Sequence, residues 1–116
     1  MASREYCLLL NLRNDAALIE EYEAYHQAGA VWPEIVDSIK GSGIESMRIY
    51  RLETSLVMVL QVSETFSFET KAVADAGNPK VQEWERLMER FQKVSEESPD
   101  GEKWQLANRI FDLAEQ

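Results

Sequence analysis

The chain is poor in the residues from which most catalytic and metal sites are built. Its 116 residues include one cysteine, Cys7, and one histidine, His26. A lone cysteine excludes an intramolecular disulfide, and one histidine with scattered carboxylates does not make a zinc set, so no metal is expected. A Ser-His-Asp triad stays formally open but has no support in the sequence. The 5 glycines fall in neither a GxxxxGK nor a GxGxxG spacing, so no phosphate-cradling loop is expected. Basic residues are also scarce: 12 Lys and Arg stand against 21 Asp and Glu, for a net charge of −9. Nucleic acids and anionic membranes require clustered Lys and Arg, so neither is an expected partner. The apolar run Tyr6-Cys7-Leu8-Leu9-Leu10 is too short to cross a bilayer and lacks the marks of a secretory signal. Cytoplasmic residence is the expectation. Within that run Cys7 reads as a small buried hydrophobe, since no basic residue accompanies it to activate the thiol.

What is present is the make-up of a globular domain. The chain is 45% hydrophobic and 28% charged, with apolar residues spread throughout, so 1–116 is read as a single domain with one core. A leucine-rich strand is expected from about Arg4 to Leu12. Asp15 then caps a helix to about Gln27, with Leu18, Tyr22 and Tyr25 on one face. Gly29 interrupts, and Trp32-Pro33-Glu34 starts a second helix, with proline in the first turn and glutamate at the positive end of the dipole. Ile35, Val36 and Ile39 give that helix its apolar face, and Gly41 and Gly43 end it.

Strands follow at Ile44–Leu52 and Leu56–Val62, joined by a hairpin at Glu53-Thr54-Ser55. The first alternates, with Met47 and Ile49 opposite Arg48 and Tyr50. The second is apolar at nearly every position, as expected of a strand covered on both faces. A helical region from about Phe66 to Ala76 leads to a stronger helix capped by Asn78-Pro79, with Val81, Trp84, Met88 and Phe91 at helical spacing. A polar loop at Ser95–Lys103 and a last strand at about Gln105–Leu113 complete the chain. The order is the βαββαβ pattern of a ferredoxin-like α+β sandwich. Helices would cover one sheet face and leave an apolar face bare, which predicts a homodimer.

His26 is the candidate for chemistry, because an imidazole is the side chain best matched to moving protons near neutral pH. It follows Tyr22 by one helical turn, so the two share a face, and the phenol could hydrogen-bond a hydroxylated ligand. On these facts alone, a lone histidine near a helix end is more often a surface or capping group. Trp84 belongs first to the apolar stripe of its helix, and Trp32 could simply staple the start of the Pro33 helix. Arg48 and Tyr50 could line a cavity or reach solvent. Aromatic platforms do suit sugars, but three tryptophans do not establish one.

The segments Tyr22-Glu23-Ala24-Tyr25-His26 and Val31-Trp32-Pro33-Glu34 together resemble the L-rhamnose mutarotase family. The resemblance continues through Ile49-Tyr50 and the Trp84 helix to the end of the chain. It implies a dimeric ferredoxin-like α/β barrel that interconverts anomers of a 6-deoxy-L-hexose, with no metal or organic cofactor. It places the family's proton-donating histidine on His26, a substrate-binding tyrosine on Tyr22 and the first tryptophan of a substrate-binding pair on Trp84. A monosaccharide is then the partner expected.

The sequence departs from the family pattern between His26 and Trp32, where two extra residues stand. A second substrate-binding tyrosine of the family falls on Met47, and Tyr50 would point to the opposite sheet face. The second tryptophan of the pair is Glu85. The string Met47-Arg48-Ile49-Tyr50-Arg51 looks like the L-fucose branch, which favours L-fucose slightly over L-rhamnose. On this reading His26 protonates the ring oxygen and recovers the proton on closure; the base at the anomeric hydroxyl is unassigned, with Glu85 a guess. The competing readings are a cofactor-independent monooxygenase or haem-degrading enzyme on the same barrel, and a non-catalytic sugar-binding module.

Overall fold

Residues 4–93 and 103–116 are described by the computed structural model. Its elements are β1 (Arg4–Leu12), α1 (Ala16–Tyr25), α2 (Pro33–Gly41), β2 (Ile44–Leu52), β3 (Ser55–Val62), α3 (Phe68–Ala76), α4 (Pro79–Met88), β4 (Gln92–Lys93) and β5 (Gln105–Leu106), with a short 3-10 turn at Leu113–Glu115. The architecture is α+β: an antiparallel sheet in the order β2-β3-β1-β4, with β5 also on β1.

The helix starts follow from local chemistry. The Asp15 side chain accepts from Leu18 N at 3.1 Å, Ser67 from Thr70 N at 3.3 Å, and Asn78 from Lys80 N at 3.1 Å. Each satisfies an amide that a helix leaves unpaired in its first turn. Pro33 and Pro79 occupy the first turns of α2 and α4, where a missing N–H costs nothing. Between α2 and β2 the chain turns through Gly43 at φ 95°, and a Cβ there would meet Ser63 Oγ at 2.9 Å. Only glycine fits that turn.

Register sorts the sheet into two faces. Leu10 pairs with Leu56, Leu8 with Met58 and Tyr6 with Leu60, while Met47 pairs with Leu60 and Ile49 with Met58. This face lies under the helices. Leu10, Leu12 and Leu56 pack there against Tyr22, Ile35, Val81, Trp84, Met88 and Phe91. A second cluster joins Leu8, Ile44, Leu60, Val62 and Phe66.

The opposite face carries Cys7 against Val59 and Arg48, and Leu9 against Val57 and Tyr50. Here two expectations change. Strand β3 is covered on one side only: Leu56, Leu60 and Val62 are buried, but Val57 and Val59 are half-exposed. Cys7 is likewise half-buried, because its side chain points away from the helices.

The last strand also differs from expectation. Instead of one strand over Gln105–Leu113, the edge beside β1 is built in two short pieces. Gln92 and Lys93 pair with Leu12 and Asn11, and Gln105 and Leu106 pair with Leu9 and Leu8. The expected polar loop lies, as far as residue 102, outside the described residues. Beyond Ala107, whose N–H reaches Cys7 O at 2.8 Å, the chain leaves the sheet and exposes Ile110, Phe111 and Leu113. The apolar content predicts a strand, but the residues after Ala107 make no ladder with β1. Among the described residues, no helix is long and apolar enough to cross a membrane.

Candidate functional site

Helix α1 sets the first two side chains. Tyr22 faces the core and is 4% exposed. One turn later His26 occupies the C-cap position, at φ −104° and ψ 4°. Its backbone N–H turns to Glu23 O at 3.1 Å, and its ring takes up the carbonyl one turn back, with Nδ1 2.7 Å from Tyr22 O. A carbonyl can only accept, so Nδ1 carries the hydrogen. In the neutral ring the lone pair is then on Nε2. The two rings stack with centroids 4.2 Å apart and planes 30° from parallel.

Helix α4 brings Trp84 against them. Its indole is 9% exposed, and its ring centre lies 5.7 Å from His26, edge to face. Trp32, at the head of α2, meets the same indole at 5.1 Å, and Tyr25 meets it at 6.2 Å. The segment 27–31 that links His26 to Trp32 folds into a turn, with Ala30 N on Gln27 O at 2.9 Å and Gly29 at φ 81°. The longer connection therefore loops outward and returns Trp32 to the cluster. Tyr22 and His26 share a face as their spacing predicts, and the fold brings Trp84 against them; Trp32 joins the cluster and is more than a staple.

Burial sets the electrostatics. It lowers the His26 pKa below the usual 6.5, opposed in part by the hydrogen bond to the Tyr22 carbonyl. The resting imidazole is therefore neutral at pH 7. Burial pushes the Tyr22 phenol up from 10.0 to about 12, with a side-chain hydrogen bond from Gln92 opposing it. Tyr22 stays protonated under ordinary conditions and can act only as a hydrogen-bond donor or acceptor.

Gln92 had no place in the sequence reading. Its signal was faint: a polar residue straight after the Val81-Trp84-Met88-Phe91 stripe, opposite Leu12 in the register. The other candidates lie elsewhere. Met47 packs against the cluster of Leu8, Ile44 and Leu60, while Tyr50 is 57% exposed on the bare sheet face. Glu85 is half-buried beside Trp84, and its backbone carbonyl accepts from Lys103 Nζ at 3.1 Å. Among the described residues no three His, Cys, Asp or Glu side chains converge as a metal site. The arrangement provides one imidazole with a free Nε2, a buried phenol and an indole wall.

Comparison with known proteins gives the family. The family described as L-rhamnose mutarotase matches residues 5–113. An L-fucose mutarotase from Xanthomonas campestris pv. campestris is 46% identical over 115 residues, covering 99% of this chain and 92% of its own. A UPF0734 protein of Dictyostelium discoideum is 33% identical, over 95% of this chain and 90% of its own. In fold, the chain is similar to the crystal structure of an L-rhamnose mutarotase from Formosa agariphila. The TM-score is 0.69 at 18% identity, covering 95% of this chain and 98% of that one. The chain belongs to the L-rhamnose mutarotase family.

Proposed function

We propose that this chain interconverts the α and β anomers of a 6-deoxy-L-hexose, L-fucose ahead of L-rhamnose. The observation that carries the reading is the stack of Tyr22, His26 and Trp84, which sets a proton-transfer group between a phenol and an indole. The 46% identical relative acts on L-fucose by its name, and the Met47–Arg51 string points the same way.

Ring opening moves one proton from the anomeric hydroxyl O1 to the ring oxygen O5 and breaks the C1–O5 bond. The C1–C2 bond of the open aldehyde then rotates, and O5 closes on the other face of C1. His26 starts neutral with its lone pair on Nε2, because Nδ1–H is committed to the Tyr22 carbonyl. It takes the proton from O1 and, as imidazolium, gives it to O5. Both oxygens are bonded to C1, so one ring can serve both, and the net proton count balances without Glu85. A positioned group of this kind contributes about 10²–10⁴-fold. Tyr22 holds a sugar hydroxyl, and Trp84 covers an apolar C–H face of the ring.

The proposal extends to assembly. The strand order β2-β3-β1-β4 with helices on one side fits a ferredoxin-like domain spanning 1–116. Two copies would pair their bare sheet faces as a dimeric α/β barrel. What supports this is the apolar content of that face, with Leu9 and Tyr50 exposed, and the unburied Ile110, Phe111 and Leu113. Soluble monomers rarely leave large apolar surface bare. A reducing cytoplasm fits the free Cys7.

Saturation-transfer NMR on the anomeric protons of L-fucose and L-rhamnose tests the activity directly. Accelerated exchange is expected for L-fucose at catalytic protein concentration. Binding of either sugar without accelerated exchange would make the chain a sugar-binding module instead.

A further inference from the structure

Gln92 is buried at 4% exposure, and its Oε1 has no hydrogen-bond partner among the described residues. Its surroundings make this costly. It follows Phe91 at the start of β4, across from the buried Leu12, on the face that the helices cover. A buried acceptor left unpaired loses its hydration and gains nothing, so an apolar side chain of the same size would serve the fold better. Gln92 also lies against the Tyr22 phenol, and Tyr22 stacks on His26. The unpaired oxygen is therefore next to the residues that receive the sugar.

We propose that Gln92 is a specificity-determining residue, its buried Oε1 accepting a hydrogen bond from a hydroxyl of the bound monosaccharide beside Tyr22. The inference rests on the mutarotase reading and deepens it. Gln92 supplies an acceptor and the Tyr22 Oη–H a donor, which together match two sugar oxygens. A sugar lacking the hydroxyl that Oε1 receives leaves the acceptor buried and unpaired, so the site discriminates against it. Gln92 makes no proton transfer; its contact is present before and during ring opening, so it acts on binding more than on turnover.

The test uses Gln92→Met and Gln92→Leu, which keep the volume and remove the acceptor, with L-fucose and its 2-, 3- and 4-deoxy analogues as probes. Both variants also lose the amide that bonds the Tyr22 phenol, so they are expected to melt no more than a few degrees below the wild type. KM for L-fucose should rise roughly 5- to 20-fold, the worth of one such hydrogen bond, with kcat nearly unchanged. For one deoxy analogue the wild type and the variants should have the same KM, which identifies the hydroxyl. Two results would overturn the assignment: an unchanged KM for L-fucose, or an equal rise for every analogue. Wild type that accelerates exchange while the variants match it removes Gln92 alone. Wild type that accelerates no exchange removes the mutarotase reading as well.

Discussion

The dual position of His26, helix cap and candidate proton carrier, allows the two jobs to be separated by substitution. Its Nδ1–H bonds the Tyr22 carbonyl at 2.7 Å, while Nε2 is the atom left for chemistry. An asparagine places an amide N–H close to where Nδ1 stood and has no group that titrates near neutrality. His26→Asn should therefore keep the cap and remove the proton transfer. Exchange measured by saturation-transfer NMR should fall about 10²–10⁴-fold, with the thermal midpoint within a degree or two of wild type. His26→Ala loses the proton carrier and also strips the Tyr22 carbonyl of its partner, a cost of about 1 kcal/mol. In a chain of this size that lowers the midpoint by roughly 3–6 °C. The pair of variants should thus match in lost activity and differ in stability. Retained exchange in His26→Asn would show that the imidazole moves no proton. Equal melting of the two variants would show that the ring does not hold the end of α1.

The titration shifts lead to further expectations. Since burial holds the His26 pKa below 6.5, kcat/KM should stay flat through neutral pH and fall on acidification only below that value; a decline already centred above 6.5 would contradict the neutral resting ring. The folded state also resists protonating His26, so stability present above pH 6.5 should be lost as pH falls toward the lowered value. Tyr22 works in the other direction. Its phenol shifts from 10.0 to about 12, so stability present below pH 10 is lost as pH rises toward 12, by at most about 3 kcal/mol. Denaturant melts should show that alkaline loss in wild type and a smaller one in Tyr22→Phe. On the bare sheet face, Val59→Asp should halve the mass seen by light scattering while leaving the far-UV spectrum intact; an unchanged mass would count against sheet-to-sheet pairing.

Local signals made most of the fold legible. Asp15, Trp32-Pro33 and Asn78-Pro79 mark three helix starts within a residue, because caps and first-turn prolines act through their own backbone. Strand β2 and its faces were readable from period-two alternation; β3 was readable as a strand, but its nearly unbroken apolar run did not show that the helices cover one side only. The chain's last part was not, because its ordering depends on partners distant in sequence. Leu106, Ile110, Phe111 and Leu113 have the apolar content of a strand, yet only Gln105 and Leu106 find a ladder on β1. The site divides the same way. Tyr22 and His26 were legible as neighbours because one helical turn relates them, while a role for the pair came only with the family resemblance. Gln92 was invisible, since nothing in its neighbourhood of the sequence says that a strand register will aim it at α1.

Trp84 shows why the opposition between core residue and site residue dissolves in this fold. Its place in the stripe with Val81 and Met88 made packing the ordinary reading, and the indole is indeed buried among them. The same ring meets His26, Trp32 and Tyr25 edge to face. An imidazole that must stay neutral yet mobile in its protonation needs low polarity on one side and a fixed orientation. The indole supplies the first, and the Tyr22 carbonyl supplies the second. The lowered His26 pKa is mainly the consequence of that burial. A chain that holds its one histidine this way uses core packing to keep that ring neutral. The outward loop at Gly29 accommodates the longer link to Trp32 without disturbing either contact.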